Sequence, residues 1–224
     1  MSDSEEESVE RQLKIAFLGD SSVGKTSIIK RFCQDEFTRQ STPTVGADFY
    51  TKHLVLPGRQ DVTLIISDIG GQELTGSMLD KYLYNINIIV FVYDITNSPS
   101  FESLPLWMET VSATITNPVL SAAFGNKCDL EHQRAIRTDR IQPFFQQCNL
   151  QNSPVSARTG EYLYSSMMEL IAKYLGVHLS KVAREQQQPV VKARLVPPTA
   201  VDSKRPKVKR VHNRNTNTAV CVLQ

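Results

Sequence analysis

Three polar stretches, each directly behind an apolar run, hold side chains whose types and spacing could do chemistry. The first is Gly19-Asp20-Ser21-Ser22-Val23-Gly24-Lys25-Thr26, which has the spacing GxxxxGK(S/T). Its glycines let the backbone turn tightly, so that successive N–H groups, roughly Ser22 through Lys25, point inward at anionic oxygens beside a helix start. Lys25 adds a point charge for the β and γ phosphates of a nucleotide, and the Thr26 hydroxyl is a ligand for Mg²⁺. The residues expected along the phosphates are Ser21, Ser22, Val23, Gly24, Lys25, Thr26 and Ser27.

The second stretch is Asp68-Ile69-Gly70-Gly71-Gln72. An aspartate closing an apolar strand, with a mobile glycine loop behind it, suits a carboxylate linked to Mg²⁺ and a loop that senses the terminal phosphate. Gly71 can bring a bare backbone amide to the γ phosphate, and Gln72 can orient the attacking water. Lys25, Gly71 and Gln72 are therefore the expected catalytic set. Alone, Asp and Gly after a strand read equally as a plain turn. A second hydroxyl for Mg²⁺ should come from the loop ahead of the next strand, where Ser41, Thr42 and Thr44 compete. Thr44 is chosen because Val45-Gly46 follow it just before the strand. Phe37 either covers a purine edge-on or packs in the core.

The third stretch, Asn126-Lys127-Cys128-Asp129, has the spacing NKxD and names the base. Guanine presents N1–H and its 2-amino group side by side, so one carboxylate, Asp129, accepts both. Adenine would set an acceptor against a buried charge. Asn126 would fix the loop and reach the base, the Lys127 stem would lie along the ring, and Ser156-Ala157-Arg158 would offer a backbone amide to the guanine oxygen.

The elements that must position these residues alternate along the chain. Leu13 to Leu18 reads as a strand and Lys25 to Gln34 as a helix with Ile28, Ile29, Phe32 and Cys33 on one side. Phe49 to Leu56 and Val62 to Ser67 read as strands joined at Pro57-Gly58 into an antiparallel hairpin. Strand and helix then repeat: Ile88 to Tyr93, a helix from about Ser100 to Ile115, Val119 to Gly125, a helix near Thr138 to Cys148, a strand at Pro154 to Ser156, and a helix from Leu163 to Leu175. That rhythm predicts an α/β fold with a mostly parallel sheet and helices on both faces. Pro105 and Pro143 fall inside helices that should start late or bend there. In the last helix Leu163, Met167, Leu170, Ile171 and Tyr174 form a stripe.

At 224 residues the chain suits one domain, here 11–178, with an acidic lead at 1–10 expected to be disordered and a flexible basic tail at 179–224. Its 41% hydrophobic and 21% charged residues exclude collagen-like, membrane-spanning and wholly disordered classes. The net charge of +2 hides an asymmetry, because residues 181–224 hold ten Lys or Arg against two acids. A basic tail on an acidic body points to an anionic membrane surface or to nucleic acid. Cys33, Cys128, Cys148 and Cys221 show no metal-ligand spacing, which suits a reducing compartment. The chain ends Cys221-Val222-Leu223-Gln224, a CaaX box whose Gln favours a farnesyl group on Cys221. The basic run Lys204 to Arg210 is a second anchoring signal, since one lipid chain binds membranes only marginally. It fits a nuclear import signal or nucleic-acid arm equally well, and the CaaX box decides for peripheral membrane attachment without nucleic acid.

The three stretches in this order resemble the small GTPases, and the flanking sequence resembles the Rab family over about residues 11 to 176. Met1 to Ser8, Ser67 to Gln72, Met78-Leu79-Asp80-Lys81-Tyr82, Gly125-Asn126-Lys127 with Asp129-Leu130-Glu131-His132, and the Cys221 ending are similar to the Rab subfamily numbered twenty-eight. The resemblance implies a P-loop NTPase fold with six strands and five helices. It also implies two nucleotide-sensing segments near Gln40 to Gly46 and Gly70 to Tyr82, and a monomeric Mg²⁺-dependent GTP/GDP switch with slow hydrolysis. The partners it implies are an exchange factor, a GTPase-activating protein and GTP-dependent effectors, with a prenyl-binding chaperone and a ciliary coat complex beside them. The implied location is the cytoplasmic face of membranes, cilium or endosome, in exchange with cytosol. The rival expectation is a nucleotide-locked membrane adaptor without significant hydrolysis. Most Rabs carry Trp where Ser67 stands and Thr-Ala where Ile69-Gly70 stand, so the aromatic surface offered to partners is altered. Arg158 stands where they carry Lys, with no loss expected because the backbone does the reading there.

Overall fold

The computed structural model describes residues 11–39, 42–56 and 60–178. The acidic lead, Gln40 and Ser41, the Pro57-Gly58 turn, the basic run and Cys221 lie outside the described residues.

The near-continuous apolar runs become strands buried on both faces. β1 (Arg11–Leu18) leads through the glycine loop into α1 (Lys25–Gln34), and β2 (Ala47–Leu56) pairs antiparallel with β3 (Gln60–Ile69). A 3₁₀ turn (Glu73–Thr75) and the short α2 (Leu79–Tyr82) carry the chain to β4 (Ile88–Asp94). α3 (Ser98–Glu102), α4 (Leu104–Thr114), β5 (Leu120–Asn126), a 3₁₀ segment (Cys128–Gln133), α5 (Thr138–Gln147), β6 (Gln151–Pro154) and α6 (Leu163–Leu175) complete the described chain. The six strands lie in the order β2-β3-β1-β4-β5-β6, and every neighbouring pair except β2–β3 is parallel. This is the expected α/β sheet.

Alternation along β1 divides the core. Leu13, Ile15 and Phe17 face a layer built with Ile28, Ile29 and Phe32 of α1 and Leu163, Met167 and Ile171 of α6. Ala16 and Leu18 face the other layer, with Leu79, Phe101, Leu104, Trp107, Ile141 and Phe145. Each such large side chain withdrawn from water contributes about 1.5–3 kcal/mol, so helices on both faces are what keep the loops at the strand ends in place.

Three expectations need correction. The single helix from Ser100 to Ile115 is two, α3 and α4, separated at Ser103. Pro105 sits in the first turn of α4, where its missing N–H is not needed. The last strand is not Pro154 to Ser156 but Gln151–Pro154, pairing with Ala122 to Gly125. An edge strand needs no apolar alternation, and its polar residues concealed it. Tyr174 does not complete the α6 stripe: it is 40% exposed, and its hydroxyl accepts a hydrogen bond from Asn87 Nδ2 at 2.9 Å. α5 runs through Pro143, which cannot give the Asp139 carbonyl its helical N–H.

Candidate functional site

The three polar stretches meet along one edge of the sheet, at the carboxyl ends of its parallel strands. Gly19 follows β1, Asp68 lies near the end of β3, and Asn126 closes β5. Crevices at this edge are where open α/β sheets bind ligands.

Lys25 is the first residue of α1 and is only 6% exposed. Its ammonium donates to the carbonyl oxygens of Gly19 (2.7 Å) and Asp20 (2.8 Å), which hold it across the loop. Burial lowers its pKa to about 8, against the opposing charges of Asp68 and Asp20. Thr26, Thr44 and Asp68 converge. Thr26 Oγ1 donates to Asp68 Oδ2 at 2.5 Å, Thr44 Oγ1 donates to the same oxygen at 3.1 Å, and the two hydroxyls are 3.1 Å apart. Asp68 is fully buried, and its Oδ1 has no hydrogen-bond partner. Burial raises its pKa, although the hydrogen bonds from Thr26 and Thr44 and the charge of Lys25 oppose this.

An orphaned carboxylate oxygen beside two hydroxyls is a set of hard oxygen donors that fits Mg²⁺. Among the described residues no group of three or more His, Cys, Asp or Glu could hold a metal ion. A cation here would therefore need further oxygens from outside the chain, as nucleotide phosphates and water provide. Of the two competing hydroxyls among the described residues, Thr42 and Thr44, Thr44 is the one that hydrogen-bonds Asp68. Thr42 lines the same cleft, together with Ser21, Ser22, Gly24, Lys25, Thr26, Ser27, Pro43 and Gly71. The Gly71 backbone presses on the glycine loop so closely that a Cβ would fall 2.2 Å from the Ser21 nitrogen. Gln72 is exposed at the start of the 3₁₀ turn and does not line this cleft.

A second cavity adjoins the first, lined by Phe37, Asn126, Lys127, Asp129, Ala157 and Arg158 with Ser22, Gly24 and Ser27. Phe37 is 36% exposed at its rim, outside the core. Asn126 is buried, and both ends of its amide make a hydrogen bond. Nδ2 donates to the Val23 carbonyl at 2.8 Å, and Oδ1 accepts from the Ala157 N–H at 3.1 Å. Lys127, held at positive φ, donates to the Ser22 carbonyl at 3.3 Å and pairs with Asp94 at 2.5 Å. Asp129 Oδ1 accepts from the buried Ser156 hydroxyl at 2.7 Å, and Arg158 lies 3.7 Å from Oδ2. Val23, named with the phosphate residues, is buried in the core and reaches the site through its backbone.

Several supporting residues escaped the sequence reading. Asp20 is clamped by α4 and the residue before it, accepting from Ser103 Oγ (2.7 Å) and Trp107 Nε1 (2.9 Å). Asp94 closes β4 as Asp68 nearly closes β3; a carboxylate ending a wholly apolar strand is a signal that could have found it. Arg31 of α1 donates to the Arg158 carbonyl at 3.0 Å and so braces the Ser156–Arg158 loop.

A mostly parallel sheet whose first strand feeds a phosphate loop, with an NKxD segment closing a later strand, defines the class of P-loop small GTPases. The chain belongs to the Ras family, whose model matches residues 14–175. It is similar to the Ras-related protein Rab-28 of Caenorhabditis elegans, with 33% identity covering 96% of this chain and 87% of that protein. It is also similar to the GTP-binding protein YPT53 of Saccharomyces cerevisiae, at 33% identity over 70% of this chain and 74% of that one. Its activity is that of the family, GTP hydrolysis by a small GTPase.

Proposed function

We propose that the chain is a Rab-type switch that binds Mg²⁺-GTP at the paired cavities and changes its surface when the γ phosphate is lost. The observation that carries this reading is the convergence of the Thr26 and Thr44 hydroxyls on buried Asp68, whose second oxygen is unpaired. Mg²⁺ held there by Thr26, Thr44 and Asp68 would neutralise phosphate charge. Lys25 and the N–H groups from Ser21 to Ser27 hold the phosphates. Gly71 offers its backbone N–H to the γ phosphate, and Gln72, one residue beyond, orients the attacking water when the loop closes.

Asp129 accepts guanine N1–H and the 2-amino group, Lys127 and Phe37 flank the ring, and the guanine oxygen competes with Asn126 Oδ1 for the Ala157 N–H within the Ser156-Ala157-Arg158 loop. Because Thr44 belongs to one loop and Gly71 to another, a ligand touching both orders both, and its hydrolysis releases them. Single-turnover hydrolysis tests the catalytic assignment: Gln72→Leu is expected to slow it by about tenfold or more. A rate equal to wild type removes Gln72 from its role.

The same reading extends to partners and place. An exchange factor, an activating protein and GTP-dependent effectors act on the switch, which works as a monomer. A farnesyl group on Cys221 with the Lys204 to Arg210 run tethers it to the cytoplasmic face of ciliary or endosomal membranes, with a prenyl-binding chaperone and a ciliary coat complex as carriers. Among the described residues no helix is long and apolar enough to cross a membrane, so membrane contact through the body would be peripheral. Fractionation of a Cys221→Ser variant decides the anchor, which fails if the variant stays on membranes.

A further inference from the structure

Gly70 lies two residues beyond Asp68, at the start of the loop that leaves β3. Its N–H donates to the Gly46 carbonyl at 2.8 Å, joining the loop behind Asp68 to the segment that carries Thr44. A Cβ on Gly70 would lie 2.6 Å from the Thr44 carbonyl oxygen and 3.2 Å from that of Gly46. Both are backbone atoms, which cannot rotate aside as a flexible side chain could. On the opposite side a Cβ at Gly46, whose φ is +70°, would come within 3.1 Å of the Tyr82 hydroxyl. Residues 44–46 are therefore seated between the bare backbone of Gly70 and Tyr82 of α2. From that seat Thr44 Oγ1 reaches Asp68 Oδ2.

We propose that Gly70 is a positioning residue of the switch: by lacking a side chain it lets the Thr44 segment close directly onto the Asp68 loop and so sets the preference for the triphosphate state. The inference rests on the reading of Thr44 and Asp68 as the pair that senses Mg²⁺ and γ phosphate. With alanine at 70 the Thr44 carbonyl must move out by several tenths of an ångström or more, and the hydroxyl on the same residue moves with it. Binding of a diphosphate, which draws on the glycine loop and the base cavity, does not depend on that seat.

The test compares wild type, Gly70→Ala, Thr44→Ala and the double variant. Affinities for GDP and for a non-hydrolysable GTP analogue are measured by calorimetry in Mg²⁺, and the analogue-over-GDP preference is taken as their ratio. Gly70→Ala is expected to hold GDP as wild type does and to lose about tenfold in preference, within the usual range of coupling between sites. Thr44→Ala loses a similar factor, and the double variant loses no more than the larger single loss, because both act through one hydroxyl. A merely structural effect of Gly70 would multiply with that of Thr44→Ala.

Hydrogen exchange on wild type gives a second reading that needs no variant: the Gly70 N–H should be protected with the analogue and released with GDP. An unchanged preference in Gly70→Ala, losses that multiply, or equal exchange in the two states would each overturn the inference while nucleotide binding stands. A wild-type protein that captures neither nucleotide overturns the functional reading instead, and the inference with it.

Discussion

Lys25 carries its charge into a buried place, where its ammonium donates to the Gly19 and Asp20 carbonyls. Its folded pKa, about 8, lies below the ordinary value of 10.5. Between those values the folded protein binds fewer protons than the unfolded chain, so the nucleotide-free protein gains stability as pH rises through that window. Phosphate reverses the balance, because an anion beside the ammonium favours the charged form. Nucleotide binding should therefore take up most of a proton at about pH 8.5 and almost none from Lys25 at about pH 6.5. Calorimetry of GDP binding in buffers of different ionisation enthalpy reads this directly, and zero uptake at the higher pH would refute the assigned environment of Lys25. Residues such as Lys25, Asp68 and Asn126 were legible in the sequence because phosphate and guanine chemistry constrain both type and spacing. Their supports were not: Asp20 depends on Ser103 and Trp107, more than eighty positions away, and only the packing of α4 under the loop brings them together.

Among elements, α4 does more than fill the second core layer. Trp107 is fully buried and is the single tryptophan of the chain. Its ring packs in the core while its Nε1 holds the Asp20 carboxylate, so one side chain joins helix packing to the shape of the phosphate loop. Trp107→Phe keeps most of the apolar volume and removes the N–H. It should cost about 1.5–3 kcal/mol, the range for hydrogen bonds to charged groups, and release GDP faster than wild type. Stopped-flow release of a fluorescent GDP analogue measures this, and an unaltered rate would detach α4 from the site. Apolar spacing runs on through Ser103 and merged α3 with this helix, while Pro105, expected to make the helix start late or bend, sits in the first turn of α4. β6 was misplaced for the opposite reason. Its Gln151-Asn152-Ser153 carry no apolar signal, and backbone pairing with β5 makes them a strand.

Over the whole molecule, the site lies where separate loops meet at one edge of the sheet. The phosphate loop, the Thr44 segment, the Asp68 loop, the Asn126–Asp129 turn and the Ser156–Arg158 loop leave the sheet separately, and buried polar groups join them. Two of those groups are poorly satisfied without a ligand: Asp68 has an unpaired oxygen and Lys25 is charged and desolvated. A ligand binding only the folded state stabilises it by about 2.7 kcal/mol at a hundredfold excess over its Kd. For a domain of this size that corresponds to a rise in Tm of about 5–10 °C. The rise should require both halves of the site. Mg²⁺-GDP at such an excess gives it, whereas Mg²⁺-ATP at the same concentration gives little, because adenine sets an acceptor toward the Asp129 carboxylate in place of the N1–H it would receive from guanine. Differential scanning calorimetry with the two nucleotides checks the outcome. Equal shifts would leave the phosphate cradle standing and remove Asp129 as the group that selects the base. No shift with either would mean that the five loops are held together without any nucleotide.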